Sequence, residues 1–170
     1  MDQYAELAYR LTLLEIQTRA YFLQEAGKPL RLKCEAELYG PYAPNLNKVL
    51  EVLEGHFIRG YGDSQRPDGE VERMLGARDT ANGFHRGHPG LQERLGRVSR
   101  LISGFETPYG MKLLLSVNWA AIHAEDPAVD EDAAIRFVAA WNDRKRGIFQ
   151  PARIRVAWER LRTGEWVASA

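Results

Sequence analysis

The stretch from Leu38 to Asp63, LYGPYAPNLNKVLEVLEGHFIRGYGD, constrains the fold of this chain more than any other. Near its start, Gly40 can adopt a positive φ and Pro41 fixes its own φ, so the sequence tightly specifies the path of a turn that carries two tyrosines. One helix face is then marked by the spacing of Leu46, Val49, Leu50 and Leu53. The stretch predicts a rigid turn and a short amphipathic helix, with Asn45 as the N-cap and Gly55 just beyond the C-terminus.

Two interpretations of this stretch compete. In the first, the tyrosines pack in the core and the glycines only turn the chain. In the second, a rigid turn with aromatic and amide side chains forms a recognition surface, because aromatic anchors on a fixed backbone carry much of a binding interface.

Two further segments predict a small antiparallel sheet. Apolar and charged residues alternate from Leu30 to Leu38, which indicates a half-buried strand with Cys34 on its apolar side. There the thiol is interpreted as a small core residue rather than a nucleophile, because a buried thiol resists ionisation. Glu70 to Leu75 is predicted to be a strand that pairs with the segment around Phe57. So small a sheet needs helices to cover it.

Helix start signals are clear elsewhere. Thr12 and Glu15 match a capping box, and Thr107 before Pro108 matches an N-cap followed by proline at the first helical position. The helix after Pro108 is apolar on most sides and is predicted to be the centre of the core. A helix with acidic residues in its first turn is predicted to end in the basic residues 144–146, interpreted as a solvated face rather than a phosphate site. The predicted fold class is α+β, predominantly helical, with about six helices covering a small antiparallel sheet of two or three strands.

Composition limits the function. The chain has 170 residues, of which 45% are hydrophobic and 27% charged, which suits one domain over 1–170. Lys plus Arg and Asp plus Glu both number 23, so the basic excess of a typical nucleic-acid binder is missing. The sequence has no apolar run that could span a membrane and no signal peptide, and Cys34 is its single cysteine. We therefore expect a cytoplasmic protein with no membrane contact and no direct contact with nucleic acid.

Motifs of catalysis are missing from the sequence. It contains neither GxxxxGK[ST] nor GxGxxG, and neither GxSxG nor HExxH. His56 and Asp63 could form a base with an orienting acid, but the spacing specifies no nucleophile. His85 and His88 lie three apart without further metal ligands nearby. We therefore predict no catalytic residue, no metal, no cofactor and no enzyme activity, and we favour a binding module.

Several blocks of the sequence resemble the C-terminal domain of the DarG antitoxins. The middle blocks are YFLQEAG at 21–27, LYGPYAPNL at 38–46 and LEGHFIRGYGD at 53–63, and the similarity continues in FETPYGM at 105–111 and, with weaker spacing, to Trp141 and Trp158. More distantly, YFLQ and the YGPY turn look like the Panacea type of antitoxin domain.

This resemblance implies a function. DarG neutralises the bacterial toxin DarT, which uses NAD to attach ADP-ribose to thymine in single-stranded DNA. The C-terminal domain is expected to bind the toxin and to occupy its DNA groove. An N-terminal macrodomain of the full-length protein would be a further partner and would carry the glycohydrolase activity. The alternatives are an ADP-ribosyl-DNA glycohydrolase and a nucleic-acid-binding module.

Such DNA mimicry sets the side chains to expect at the contact surface. A groove built for phosphates and flat bases should be filled by carboxylates and by aromatic or amide groups. The candidate toxin-binding residues, which include the remaining polar residues of the central stretch, are Tyr39, Tyr42, Asn45, Asn47, His56, Arg59, Tyr61, Asp63, Glu106 and Tyr109.

Overall fold

The computed structural model describes residues 10–62 and 66–167, apart from the side chain of His85. Within them the elements are β1 Arg10–Thr12, α1 Leu13–Glu25, β2 Glu35–Glu37, β3 Gly40–Tyr42, α2 Pro44–Leu53, β4 Ile58–Arg59, β5 Glu70–Arg73, α3 Ala77–Arg86, α4 Pro89–Ile102, α5 Pro108–Ile122, α6 Glu131–Trp141, α7 Asp143–Ile148 and α8 Pro151–Thr163. The predominantly helical α+β class is confirmed.

These residues form two compact units. The first contains the described residues of 10–34 and 43–98, and the second contains residues 35–42 and 99–167. The prediction of a single toxin-binding domain over 1–170 stays a prediction.

The first unit is built around a three-stranded antiparallel sheet in the order β1-β5-β4. Thr12 pairs with Glu70, and Arg59 pairs with Glu72. The capping box of Thr12 and Glu15 is present and begins α1 at Leu13, as predicted. Buried core side chains come from helices, from strand β5 and from the connections between elements: Leu13, Ala43, Leu46, Leu50, Tyr61 and Val71. The predicted pairing of the strand at 70 with the segment near Phe57 is confirmed.

The predicted strand from Leu30 to Leu38 is wrong over most of its length. Arg31 has a φ of 57°, which a continuous strand does not allow. The Leu32 amide donates to Gln24 Oε1 at 2.6 Å, and Gln24 Nε2 donates back to the Leu32 carbonyl at 3.3 Å. A glutamine side chain therefore replaces the partner strand. Only β2 is regular, and it pairs with β3 rather than with the three-stranded sheet.

Asn45 is also used differently from the prediction. The N-cap position of α2 is Ala43, with Pro44 in the first turn. Asn45 Oδ1 accepts from the Lys33 amide at 2.9 Å, and Asn45 Nδ2 donates to the Arg31 carbonyl at 2.8 Å. The side chain thus fixes the segment before β2 and does not cap a helix.

Cys34 belongs to the apolar packing of the first unit, as predicted. It lies half-buried against the core cluster. Burial, together with the charge of Glu25, raises the pKa of the Cys34 thiol to about 11. The thiol is therefore protonated at neutral pH and a poor nucleophile.

The second unit is centred on α5, whose buried side chains include Met111, Leu114 and Val117. This confirms the predicted core helix. Thr107 caps it with Pro108 in the first turn, also as predicted. Helices α6 and α8 and strand β3 pack against it. In the described ranges no helix is long and apolar enough to cross a membrane.

The described residues contain more helices than the six predicted, and two segments account for the difference. Glycines at positions 83, 87 and 90 dilute the helical pattern of residues 79–90, and the structure nevertheless has α3 at Ala77–Arg86. The predicted helix ending at residues 144–146 is broken at Asn142, which has extended φ and ψ and accepts from the Lys145 amide at 2.8 Å. A separate helix, α7, therefore carries the basic residues.

Candidate functional site

Tyr39 is presented by a tight β-hairpin. Glu37 pairs with Gly40, which leaves Leu38 and Tyr39 as a two-residue loop between β2 and β3. Gly40 has a φ of 139°, a conformation that suits glycine alone. Asn142 Nδ2 donates to the Leu38 carbonyl at 3.3 Å and ties the loop to the start of α7. The rigid turn predicted from the sequence is confirmed, and it leaves 42% of Tyr39 exposed.

A cavity of about 170 Å³ opens beside this hairpin. We call it the Tyr39 pocket, and its lining residues are Leu38, Tyr39, Tyr109, Lys112, Arg144, Lys145, Ile148 and Phe149. Tyr109 donates from its hydroxyl to the Ile148 carbonyl at 3.4 Å, and its ring meets the Phe149 ring edge-on with centroids 5.3 Å apart. Two tyrosines that the sequence placed in separate neighbourhoods thus line one pocket.

Three cationic side chains converge on this pocket. Lys112 Nζ lies 4.9 Å and Arg144 Cζ 5.0 Å from the centroid of the Tyr39 ring. Lys145 Nζ lies 4.3 Å from the centroid of the Trp141 ring. Each cation faces the negative side of an aromatic ring, which is a favourable arrangement. The pocket is therefore aromatic in its walls and positive in charge.

Lys145 is the unusual member of this set because only 3% of it is exposed. Its ammonium donates to Ser116 Oγ at 2.8 Å, and Ser116 Oγ donates to the Lys112 carbonyl at 2.7 Å. Burial lowers the pKa of Lys145, and the positive charges of Lys112 and Arg144 add to the effect and bring it to about 8. The interpretation of residues 144–146 as a solvated face is therefore wrong for Lys145.

The candidate residues of the central stretch lie in different environments. Tyr61 is 2% exposed and belongs to the core of the first unit, so its ring is not on a surface. The side chain of Asn45 is hydrogen-bonded to the backbone of residues 31 and 33. Asn47 is half-buried on α2, and His56 is exposed beyond its end. Asp63 lies outside the described residues.

The remaining candidates make local contacts. Arg59 Nε donates to Glu72 Oε2 at 2.7 Å across the sheet of the first unit. Tyr42 is half-buried in β3. Glu106 accepts from the Gly104 amide at 2.9 Å and stays exposed. Of the ten candidates, the structure places Tyr39 and Tyr109 in one pocket.

Exposed apolar side chains form a second feature, in the first unit. On α2, Val49 and Val52 lie three residues apart and therefore on adjacent positions of one helix side. Val52 is 73% exposed, and Phe57 follows at 40%. The Phe57 carbonyl accepts from the Met74 amide at 2.9 Å, which brings it beside Leu75, another exposed apolar residue. We call Val49, Val52, Phe57 and Leu75 the α2 surface.

The sequence analysis did not predict most residues of the Tyr39 pocket or the exposure of the α2 surface. Lys112 was hidden in the apolar helix α5, and Val49 was assigned to the buried helix face although it is exposed. The helix break at Asn142 could have been found, because an asparagine before an aspartate matches an N-cap with an acidic first turn.

The similarity to known proteins is extensive. No protein-family model matches the chain. It is 40% identical over 158 residues, 93% of its length, to the DNA ADP-ribosyl glycohydrolase of Thermus aquaticus. It is 33% identical over 156 residues, 87% of its length, to proteins of the same name from Mycobacterium bovis and Mycobacterium tuberculosis. In each case the match covers 43% of the relative, so the chain spans less than half the length of these curated relatives.

These names correct one prediction. We predicted that the chain is not an enzyme, and this is contradicted because all three relatives are named for an enzyme activity. The resemblance found in the sequence blocks is supported at a coarser level, by homologues of this name over most of the chain. The chain is therefore related to a segment of the DNA ADP-ribosyl glycohydrolases.

Proposed function

We propose that this chain is a toxin-binding antitoxin segment that binds a DarT-type DNA ADP-ribosyltransferase and occupies its single-stranded DNA groove. Two observations support the proposal. The relatives over most of the chain carry the name of the glycohydrolase of that system. In the structure, the observation that carries the proposal is the α2 surface. Its apolar side chains are exposed, while the opposite side of α2 packs in the core.

The α2 surface has the features of a docking site. Val52 and Phe57 are exposed, while Leu46 and Leu50 on the same segment are buried and fix its position. Val49 and Val52 are exposed neighbours on α2, and groups of exposed apolar side chains mark protein contact surfaces. Rigid anchors also reduce the entropy lost on binding. Exposed polar groups beside them, His56 among the candidates, would form the rim.

Charge favours the first unit over the Tyr39 pocket as the contact. A groove that holds DNA phosphates presents cations, and the Tyr39 pocket presents cations too. Like charges would oppose each other there. The exposed charges of α2 are mixed, Lys48 and Glu51, so this helix does not present a group of cations to such a groove. We therefore leave Tyr39 and Tyr109 out of the proposed toxin contact, together with the buried Tyr61.

The test uses the chain and a DarT-type toxin at micromolar concentration on a sizing column, with DNA ADP-ribosylation as the readout of inhibition. We expect a one-to-one complex and loss of ADP-ribosylation. Val52→Arg should weaken the complex at least about tenfold, because it places a charge among apolar contacts. Val156→Arg on α8 is the matched control, since Val156 is also exposed, and it should leave binding unchanged. No complex, or equal loss in both variants, would refute the proposal.

The names of the relatives favour a second function, removal of ADP-ribose from DNA. We propose this activity for the whole protein of which such a segment is part. Incubation with ADP-ribosylated single-stranded DNA, followed by detection of free ADP-ribose, tests it. Release by residues 1–170 alone would assign the hydrolytic chemistry to this chain. Release only by a longer protein would assign it elsewhere.

A further inference from the structure

The Tyr39 pocket is lined by three cationic side chains, and the described residues place neutral groups around one of them, Lys145. Lys112 comes from α5, and Arg144 and Lys145 come from α7. We propose that this pocket binds the phosphate group of a small phosphomonoester, no larger than a mononucleotide.

The burial of Lys145 favours an anion in the Tyr39 pocket. The groups placed around its ammonium are the Ser116 hydroxyl at 2.8 Å and the rings of Trp141 and Phe149, with centroids at 4.3 and 5.4 Å. All are neutral. A buried cation beside two further cations is unfavourable, and an anion in the cavity would offset both the lost hydration and the repulsion.

The hydrogen-bond donors of the Tyr39 pocket also favour a phosphate group. A guanidinium offers a planar fork of N–H groups, and ammonium groups act as point charges, a combination suited to phosphate oxygens. Arg144 and Lys112 both lie about 5 Å from the centroid of the Tyr39 ring, and both line the pocket. Such a set of donors matches the three oxygens of a phosphate better than a single carboxylate.

The size and lining of the Tyr39 pocket limit the ligand to a small phosphomonoester. At about 170 Å³ the cavity is smaller than the roughly 300–1,000 Å³ pockets that enclose drug-sized ligands. It accommodates a phosphate and the first ring attached to it. Tyr109, Phe149 and Ile148 supply apolar wall for that ring.

This proposal is independent of toxin binding. The pocket lies wholly in the second unit, whereas the proposed toxin contact lies in the first. Either can fail while the other holds.

The test is calorimetric titration of the chain with adenosine 5′-monophosphate, inorganic phosphate, adenosine and acetate. We expect saturable binding of the monophosphate with a Kd of about 1 mM or tighter, and competition by inorganic phosphate. Adenosine and acetate should bind at least about tenfold more weakly, since neither carries a dianion. No saturation up to about 10 mM monophosphate, or equal binding of adenosine or acetate, would overturn the proposal.

Variants locate the site. Arg144→Gln should weaken monophosphate binding at least about tenfold through loss of a charged donor. Arg146→Gln on the same helix is the control, because Arg146 is exposed, pairs with Asp143 at 3.1 Å and does not line the pocket. It should change affinity less than about twofold. If both variants weakened monophosphate binding equally, the binding would reflect general charge attraction, and the proposed site would be refuted.

Lys145→Met provides a second variant that keeps side-chain length and apolar packing. It should also reduce affinity about tenfold. A circular dichroism melt of the same sample verifies the fold. Unchanged affinity in a folded Lys145→Met protein, together with unchanged affinity in Arg144→Gln, would contradict the proposal.

Discussion

Tyr39 and Tyr61 occupy corners that look alike in sequence and differ in the structure. Each tyrosine is next to a glycine with positive φ, Gly40 at 139° and Gly60 at 95°. Yet Tyr39 is 42% exposed in a hairpin loop of the second unit, and Tyr61 is 2% exposed in the core of the first. A glycine beside an aromatic residue therefore specifies a rigid corner but not the side on which the ring lies.

Neighbouring polar groups differ between the two corners as well. Around Tyr61, the Glu54 carboxylate accepts from the amides of Gly60 at 2.9 Å and Tyr61 at 3.1 Å, so its charge stabilises the backbone. Around Tyr39, Lys112 and Arg144 face the ring itself. The first corner uses its polar groups for folding, and the second leaves cations at a cavity.

The largest effect should come from removing the buried ring of Tyr61, whereas removing the exposed ring of Tyr39 should have a small effect. Tyr61→Ala should lower the free energy of unfolding by about 4 kcal/mol, because it leaves a cavity in the core. Tyr39→Ala should cost less than about 1 kcal/mol, the value of exposed cation–ring contacts. Urea denaturation measures both. Similar costs would break the comparison.

The backbone of the buried corner gives the next effect. A Cβ at Gly60 would lie 2.7 Å from the Glu70 carbonyl oxygen of β5, and the φ of 95° adds strain. Gly60→Ala should therefore cost about 3 kcal/mol. Gly62→Ala is the control, since a Cβ there meets nothing within 4 Å. Equal urea midpoints for the two variants would contradict this account.

Lys145→Met should raise stability by about 2 kcal/mol at pH 7, because it removes a buried cation near two others. The pKa of Lys145 is about 8 in the folded chain and 10.5 ordinarily, so below pH 8 both states are protonated and the full cost of burial applies.

As pH rises from about 8 to about 10.5 the folded state is neutral and the unfolded state charged, so the wild type gains stability. The advantage of Lys145→Met should therefore shrink over this window. Ionisable groups that do not interact with Lys145 are common to both proteins and cancel in the difference, whereas Lys112 and Arg144 face Lys145 and contribute to its low pKa. A pH-independent difference would disprove the low pKa.

A smaller effect is expected at Asn45. Asn45→Ala removes two hydrogen bonds to residues 31 and 33 at a partly exposed site and should cost about 1 kcal/mol by urea denaturation. Asn45→Asp keeps the acceptor for the Lys33 amide and should cost less. If Asn45→Ala left the urea midpoint unchanged, the two hydrogen bonds of the Asn45 side chain would not stabilise this segment.

Local signals predicted much of the fold. Thr12 with Glu15 and Thr107 with Pro108 fix helix starts through contacts within one turn, so nothing distant was needed to find them. The strand at 70–73 followed from its residue types and its nearness to the turn before it.

Distant side chains caused the failures. Burial alternates from Leu30 to Cys34, but Gln24 and Asn45 take the hydrogen bonds that a neighbouring strand would have made. The pocket required cations from two separate elements, α5 and α7, which no local pattern contains. The sequence did identify Tyr39 and Tyr109 as candidates, but it could not show that they share a cavity.

The most direct test of toxin binding is displacement. A DarT-type toxin is first bound to a fluorescent thymine-containing oligonucleotide, and this chain is then added while fluorescence anisotropy is followed. Occupation of the DNA groove predicts that the anisotropy falls to the value of the free oligonucleotide at one equivalent of chain, and that Val52→Arg shifts the curve to higher concentration. Anisotropy that stays high or rises, as in a complex of toxin, DNA and chain together, would contradict the proposal.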